Sequence, residues 1–131
     1  MKKTDWKEVL GWSEEQLEDI RNAGYAYIRQ GKYETALSFF KALVVLNPGS
    51  SYDLQTLGAL YLQTGDADQA VKYLDRALQL EANHSPTLLN LAKAKLMQGK
   101  SEEGLKLAKI LSKDPDRSIA RTAKALILAH S

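Results

Sequence analysis

The sequence contains no cysteine among its 131 residues, which excludes disulfide bonds, thiolate metal ligands and cysteine nucleophiles. It has only three prolines, and no stretch approaches the roughly 18 uninterrupted apolar residues of a membrane-spanning helix. The basic start of the chain, residues 1–6, is not followed by the apolar run of a signal peptide. These absences predict a cytoplasmic protein with no membrane insertion, since a cysteine-free chain suits a reducing compartment.

The sequence has little excess charge of either sign, because its 18 Lys and Arg residues nearly balance its 16 Asp and Glu residues and leave a net charge of +2. Residues 85–131 are more basic, with 9 cationic against 4 anionic side chains. Those cations are spread along predicted helical faces and have no aromatic residues among them. The pattern therefore does not predict a nucleic-acid partner.

What the sequence does contain is a repeat of 34 residues. Gly31, Gly65 and Gly99 each follow an apolar pattern with helical spacing. Two further sets of small residues keep the same interval: Gly24, Gly58 and Ala92, and Ala36, Ala70 and Gly104. No segment alternates apolar and polar residues as a strand would. A fixed period of this length made of helical patterns predicts a helical solenoid.

Each repeat unit is predicted to contain two helices. In the second unit, Ser50 or Ser51 can cap the first helix with its hydroxyl, and Gly65 can end that helix in the left-handed conformation. Gly58 and Ala70 are small, so we expect the two helices of the unit to approach closely there. One unit alone cannot bury its apolar face, so neighbouring units must stack.

The repeat resembles the tetratricopeptide repeat, whose pattern is W-x2-L-G-x2-Y, then A-x3-F, then P. The first copy supplies Ile20, Gly24, Tyr27, Ala36, Phe40 and Pro48, and the second supplies Leu54, Gly58, Tyr61, Ala70 and Leu74. The third copy is degenerate, with Lys95 where the others have tyrosine. The resemblance implies an all-α fold, a right-handed α-solenoid of three helix–turn–helix repeats with flanking helices.

The predicted domain covers residues 1–131 as one unit. Its parts are an N-terminal helical extension at 1–16, repeats at 17–50, 51–84 and 85–118, and a C-terminal capping helix at 119–131. Ser85 is predicted to cap the third repeat and Ser118 the last helix. Ser13 and Gln16 form a capping-box pattern ahead of the first repeat.

Catalytic and metal-binding patterns are not found. His84 and His130 are not spaced as metal ligands, and there is no phosphate-binding glycine loop or nucleophile elbow. An acidic cluster near residues 14–19 is explained by the positive end of a helix. We therefore expect no cofactor, no metal site and no enzymatic activity.

The tetratricopeptide resemblance implies a concave groove lined by the first helix of each repeat. The residues it places there are Arg21, Tyr25, Ile28, Tyr52, Gln55, Ala59, Leu62, Leu89, Lys93 and Leu96. Several are apolar, which favours binding of an extended peptide through aliphatic anchors. The alternative is that some of them pack against the flanking helices or against a second copy of the chain.

A narrower resemblance lies in the segments GKYETALSFFKALVVLNP (31–48) and LGALYLQTGDADQAV (57–71). They are similar to the small cytoplasmic chaperones that hold translocator proteins of bacterial type III secretion systems. This resemblance implies a chaperone that binds a segment of a secreted, partly hydrophobic partner, and a homodimer formed through the N-terminal region. The alternative is a tetratricopeptide scaffold that joins subunits of a bacterial assembly. Trp6, Leu10 and Trp12 are the candidates for self-association, although both tryptophans could instead pack within one chain.

Overall fold

The structure, a computed structural model, describes residues 11–131. In this range it contains seven α-helices and no strand, which confirms the all-α prediction. In chain order they are α1 (Glu14–Arg29), α2 (Tyr33–Leu46), α3 (Ser51–Gln63), α4 (Ala67–Leu80), α5 (Ser85–Met97), α6 (Ser101–Leu111) and α7 (Arg117–His130). Each helix packs against the next, and α5 also contacts α3 and α7. The prediction of helix–turn–helix repeats is thereby confirmed, with α1–α2, α3–α4 and α5–α6 as the three pairs.

The two helices of every pair are joined by a turn that contains a glycine with positive φ. The φ angles are 74° at Gly31, 86° at Gly65 and 81° at Gly99, a region that side chains with a Cβ atom avoid. In the second turn the amide of Asp66 donates to the carbonyl of Tyr61 at 2.9 Å. This bond belongs to the Schellman motif, which satisfies carbonyl groups at the end of a helix. The glycine interval of the sequence is therefore the interval of these helix ends.

Small residues bring the paired helices together, as the sequence predicted. A Cβ atom added at Gly24 would lie 2.6 Å from Phe40 Cε2. One added at Gly58 would lie 2.7 Å from Leu74 Cγ, and 3.3 Å from its backbone nitrogen. Contacts this short are repulsive, so any larger residue would push the second helix of the pair away.

Two of the predicted helix caps are confirmed. Ser13 accepts a hydrogen bond from the amide of Gln16 at 3.1 Å, and the Gln16 side chain accepts one from the amide of Ser13 at 2.8 Å. Ser50 accepts from the amide of Asp53 at 3.2 Å. These bonds satisfy first-turn amides of α1 and α3 that have no partner within the helix.

Two other predicted caps are wrong by one or two residues. His84, not Ser85, is the N-cap of α5, because the Ser85 hydroxyl instead donates to Asp114 Oδ2 at 2.6 Å. Asp116, not Ser118, caps α7, and its carboxylate accepts from the amide of Ser118 at 2.9 Å. A carboxylate at this place also stabilises the positive end of the helix dipole.

The core runs along the solenoid and ends in a second cluster beneath α7. Fully buried side chains of the main core include Leu17, Phe40, Leu43, Leu54, Leu57 and Leu74. The second cluster contains Leu89, Leu111, Ile119 and Ala123. In this way α7 covers the apolar end of the third repeat, as a capping helix does in a solenoid. None of the described helices has the length and apolar character needed to cross a membrane.

Candidate functional site

An ion pair joins the first helices of repeats 1 and 2. Arg21 of α1 donates from Nε to Asp53 Oδ1 at 2.7 Å and from Nη2 to Asp53 Oδ2 at 2.8 Å. It also contacts Glu18. The Asp53 side chain is fully buried, while the Arg21 side chain is 14% exposed. The hydrogen bonds that Arg21 donates to Asp53 raise the pKa of the Arg21 guanidinium. A two-point contact of this kind fixes orientation as well as distance, so it holds α1 against α3.

Tyr25 lies one turn further along α1 and makes a second contact across the same junction. Its hydroxyl lies 3.1 Å from Thr56 Oγ1. Because Thr56 donates its own proton to the Tyr52 carbonyl at 3.0 Å, Tyr25 is the donor to Thr56. The Tyr25 ring packs edge-on against Phe40 at 5.3 Å and lies 6.1 Å from the Tyr52 ring. Burial raises the pKa of the Tyr25 hydroxyl, so it stays protonated as a donor at neutral pH.

Beyond these contacts lies a hollow of about 250 Å³, which we call the first hollow. It is lined by Ile28, Tyr33, Thr56, Ala59, Leu60 and Gln63. Two of these residues, Ile28 and Ala59, were predicted to lie in the groove. They come from α1 and α3, so the hollow sits at the junction of repeats 1 and 2.

A hollow of about 300 Å³ occupies the equivalent place one repeat later, and we call it the second hollow. Its lining consists of Leu62, Lys93, Leu96, Met97, Leu126 and His130. Leu62, Lys93 and Leu96 were predicted to lie in the groove. Five of the ten predicted groove residues therefore line the two hollows, on the face formed by α1, α3 and α5. We call this face the groove.

The other five predicted residues line neither hollow. Tyr52 is 54% exposed, and Gln55 Nε2 donates to Glu81 Oε2 at 3.4 Å. Leu89 is only 7% exposed because α7 covers it in the second cluster. For Leu89 the structure therefore matches the alternative, in which a residue at a groove position packs against a flanking helix.

Of the three residues predicted for self-association, Trp6 and Leu10 lie outside the described residues. Trp12 is half-buried and packs against the main core of its own chain. Part of its ring therefore has an intramolecular contact, and the remainder is open to solvent.

A third, larger hollow of about 450 Å³ lies at the turn after α3 and shares Met97 with the second hollow. It is lined by residues 64–68 together with Met97 and Gln98. The Gln98 side chain donates to Asp68 Oδ1 at 2.9 Å across it. This lining is mostly polar and its apolar side chains are Ala67 and Met97, so it is less suited to an apolar anchor than the first two hollows. Within residues 11–131 no group of three or more His, Asp or Glu side chains is placed to hold a metal ion.

Several residues that shape the groove were not among the ten predicted ones, and Asp53, Leu126 and His130 are three of them. Asp53 lies in the first turn of α3, where an acidic residue is expected for the helix dipole alone. Leu126 and His130 belong to α7, which was predicted only as a cap. The apolar spacing of α7 was visible in the sequence, but its position beside α5 depends on tertiary packing.

Paired helices, glycine turns and small residues at the helix crossings define a tetratricopeptide-repeat protein. The family model described as "Anaphase-promoting complex, cyclosome, subunit 3" matches residues 29–109, which is more than half of the chain. The chain therefore belongs to this family of helical-repeat proteins. No curated protein sequence gives a significant match.

Solved structures of secretion chaperones share the fold over most of the chain. The type III secretion translocator chaperone SycD of Yersinia enterocolitica is 22% identical, with a TM-score of 0.77 over 98% of this chain and 99% of that one. SycD in an alternative dimer is 24% identical, with a TM-score of 0.77 and coverage of 89% and 92%. PcrH, a Pseudomonas aeruginosa protein, solved with the chaperone binding region of PopD, is 25% identical, with a TM-score of 0.78 and coverage of 91% and 93%.

Proposed function

We propose that this chain is a non-enzymatic, cytoplasmic chaperone that holds an extended, partly hydrophobic segment of a secreted translocator protein in its groove. The observation that carries the proposal is the pair of hollows one repeat apart on the face formed by α1, α3 and α5. The choice of partner is supported by PcrH, which is solved with the chaperone binding region of PopD. SycD, with the same fold, is itself described as a translocator chaperone.

The spacing of the hollows suits an extended chain. Packed helices lie about 8–10 Å apart, and an extended segment rises about 3.3 Å per residue. Two side chains about three residues apart in the partner would therefore reach the two hollows. Both volumes can take an aliphatic side chain, and burying one contributes about 1.5–3 kcal/mol. Two such anchors offset part of the cost of ordering the bound segment.

The contacts across the first junction would keep the groove in shape before the partner arrives. Arg21 and Asp53 fix α1 against α3 through two hydrogen bonds, and Tyr25 adds a third polar contact. A preorganised surface loses less conformational entropy on binding. The exposed ring of Tyr52 lies at the rim, where an aromatic side chain can cover the backbone of an extended peptide.

The proposal includes a homodimer formed through the N-terminal region. It is supported by the description of SycD in an alternative dimer and by the part of Trp12 that remains exposed. A tryptophan ring at a surface is a frequent interface anchor.

The experiment that tests this function is purification of the tagged chain from its native host, followed by identification of the protein bound to it. We expect a secreted, membrane-active protein to be recovered with the wild type. The double variant Tyr52→Ala/Leu62→Ala should lose it while its helical circular dichroism is retained. The matched control is Val45→Ala/Ile110→Ala, since these side chains are 54% and 65% exposed on second helices and lie outside the groove. Recovery of a cytoplasmic assembly subunit as the bound protein would favour the scaffold alternative. An undiminished yield of bound partner with Tyr52→Ala/Leu62→Ala would contradict groove binding.

A further inference from the structure

The two hollows differ in charge although they occupy equivalent places in the repeat. The first hollow combines apolar side chains with neutral polar ones, Tyr33, Thr56 and Gln63. The second hollow combines four apolar side chains with two basic ones, Lys93 and His130. An apolar anchor needs no cation beside it, so the basic pair calls for a reason other than aliphatic packing.

Lys93 has no carboxylate to neutralise it within the helices that build the second hollow. Neither α5 nor α7 contains an acidic residue, and the one acidic residue of α3, Asp53, is occupied by Arg21. No described residue forms an ion pair with Lys93. Lys95, by contrast, is directed to the other side of α5 and pairs with Glu103 at 3.7 Å.

The position of Lys93 strengthens its attraction for an anion bound at the second hollow. Its residue is half-buried and lines the apolar hollow, a setting in which a lysine can lay its aliphatic stem along apolar surface while its ammonium group stays in water. A charge at the edge of an apolar hollow is less screened than one in open water. His130, from the last turn of α7, adds a ring nitrogen that can donate to the same anion.

We propose that the second hollow recognises an aliphatic side chain followed closely by an aspartate or glutamate in the bound segment, an inference that rests on the proposed function. The aliphatic group fills the space among Leu62, Leu96 and Leu126, and the carboxylate accepts from Lys93 and His130. Charge complementarity selects this occupant over a neutral or basic segment. Since the first hollow carries no charge, the acidic residue also fixes the direction in which the segment lies along the groove.

The test uses display of randomised peptides of about 12 residues, which can span both hollows at about 3.3 Å per residue. The library is selected against the wild type, against Lys93→Glu and against Lys124→Glu. Lys124 is exposed on α7 and does not line the hollow, so Lys124→Glu makes the same charge change outside the proposed binding site. We expect aliphatic peptides with an adjacent Asp or Glu from the wild type and from Lys124→Glu. Lys93→Glu should select Lys or Arg at that place.

A second measurement compares a selected peptide with its Glu→Gln counterpart by fluorescence anisotropy. The wild type should bind the acidic peptide roughly three- to tenfold more tightly, a preference between that of an exposed ion pair and that of a buried hydrogen bond to a charged group. Lys93→Gln should bind the two peptides with a much smaller difference, since only His130 remains to contact the carboxylate, and this variant keeps the test valid should Lys93→Glu unfold. Aliphatic peptides without acidic enrichment, or an unchanged preference in Lys93→Gln, would overturn this inference and leave the proposed function standing. Failure to select any aliphatic peptide would overturn both.

Discussion

Replacing Arg21 with methionine leaves the Asp53 carboxylate buried without its guanidinium partner. Asp53 is fully buried, and both its oxygens accept from Arg21, at 2.7 and 2.8 Å. Breaking one partner of a buried ion pair costs about 3–5 kcal/mol, because the remaining charge is uncompensated. For a chain of this size each kcal/mol lowers the Tm by roughly 3–4 °C. We therefore expect Arg21→Met to lower the Tm by about 10–20 °C.

The double variant Arg21→Met/Asp53→Leu separates this charge effect from lost packing. Replacing a whole buried pair by apolar side chains is often close to neutral, so the double variant should recover most of the lost stability. Urea unfolding followed by circular dichroism measures all three proteins, with Arg29→Met as the control for an exposed arginine of the same helix. A loss for Arg21→Met no larger than for Arg29→Met, or a double variant less stable than Arg21→Met, would contradict the charge effect.

Two further predictions concern a helix crossing and a capping contact. Gly58→Val should destabilise the protein by about 1–3 kcal/mol in urea unfolding, because its Cβ would meet Leu74 at 2.7 Å; Gly49→Ala, with nothing within 4 Å, should change stability by less than about 1 kcal/mol. The Ser85 hydroxyl and then the Asp116 amide lower the pKa of Asp114, so Ser85→Ala should raise that pKa in an NMR titration. A carboxylate whose pKa is lowered by folding stabilises the folded protein at pH values above its unfolded-state pKa. This stabilisation is lost as the pH falls through the folded-state pKa. The variant should therefore lose stability at neutral pH and converge with the wild type in acid, whereas an unchanged pKa of Asp114 would contradict the role of Ser85.

The elements that could be predicted from the sequence are those set by local rules. The glycine turns required φ angles that few other residues adopt, and Gly31, Gly65 and Gly99 have them. The close contacts at Gly24 and Gly58 followed from the absence of a Cβ atom. Both features repeat with the helix pair, so the interval of 34 residues was enough to establish the fold.

The parts of the groove that could not be predicted depend on contacts between distant residues. Arg21 and Asp53 are 32 positions apart, and only the stacking of the second repeat on the first makes them partners. Leu89 fits the repeat register of a groove residue, but α7 covers it. His130 enters the second hollow because the last turn of α7 lies beside α5, and no local pattern around His130 indicates this position.

Site-specific photocrosslinking shows whether the partner lies in the groove. A photoreactive amino acid is placed at Ala59, which lines the first hollow, or at Ile110, which is 65% exposed on α6. Each protein is irradiated with its native partner bound, and the crosslinked segment is sequenced. We expect a crosslink from position 59 to one short, partly aliphatic segment of the partner and none from position 110. Crosslinks from position 110 with none from position 59 would contradict binding in the groove.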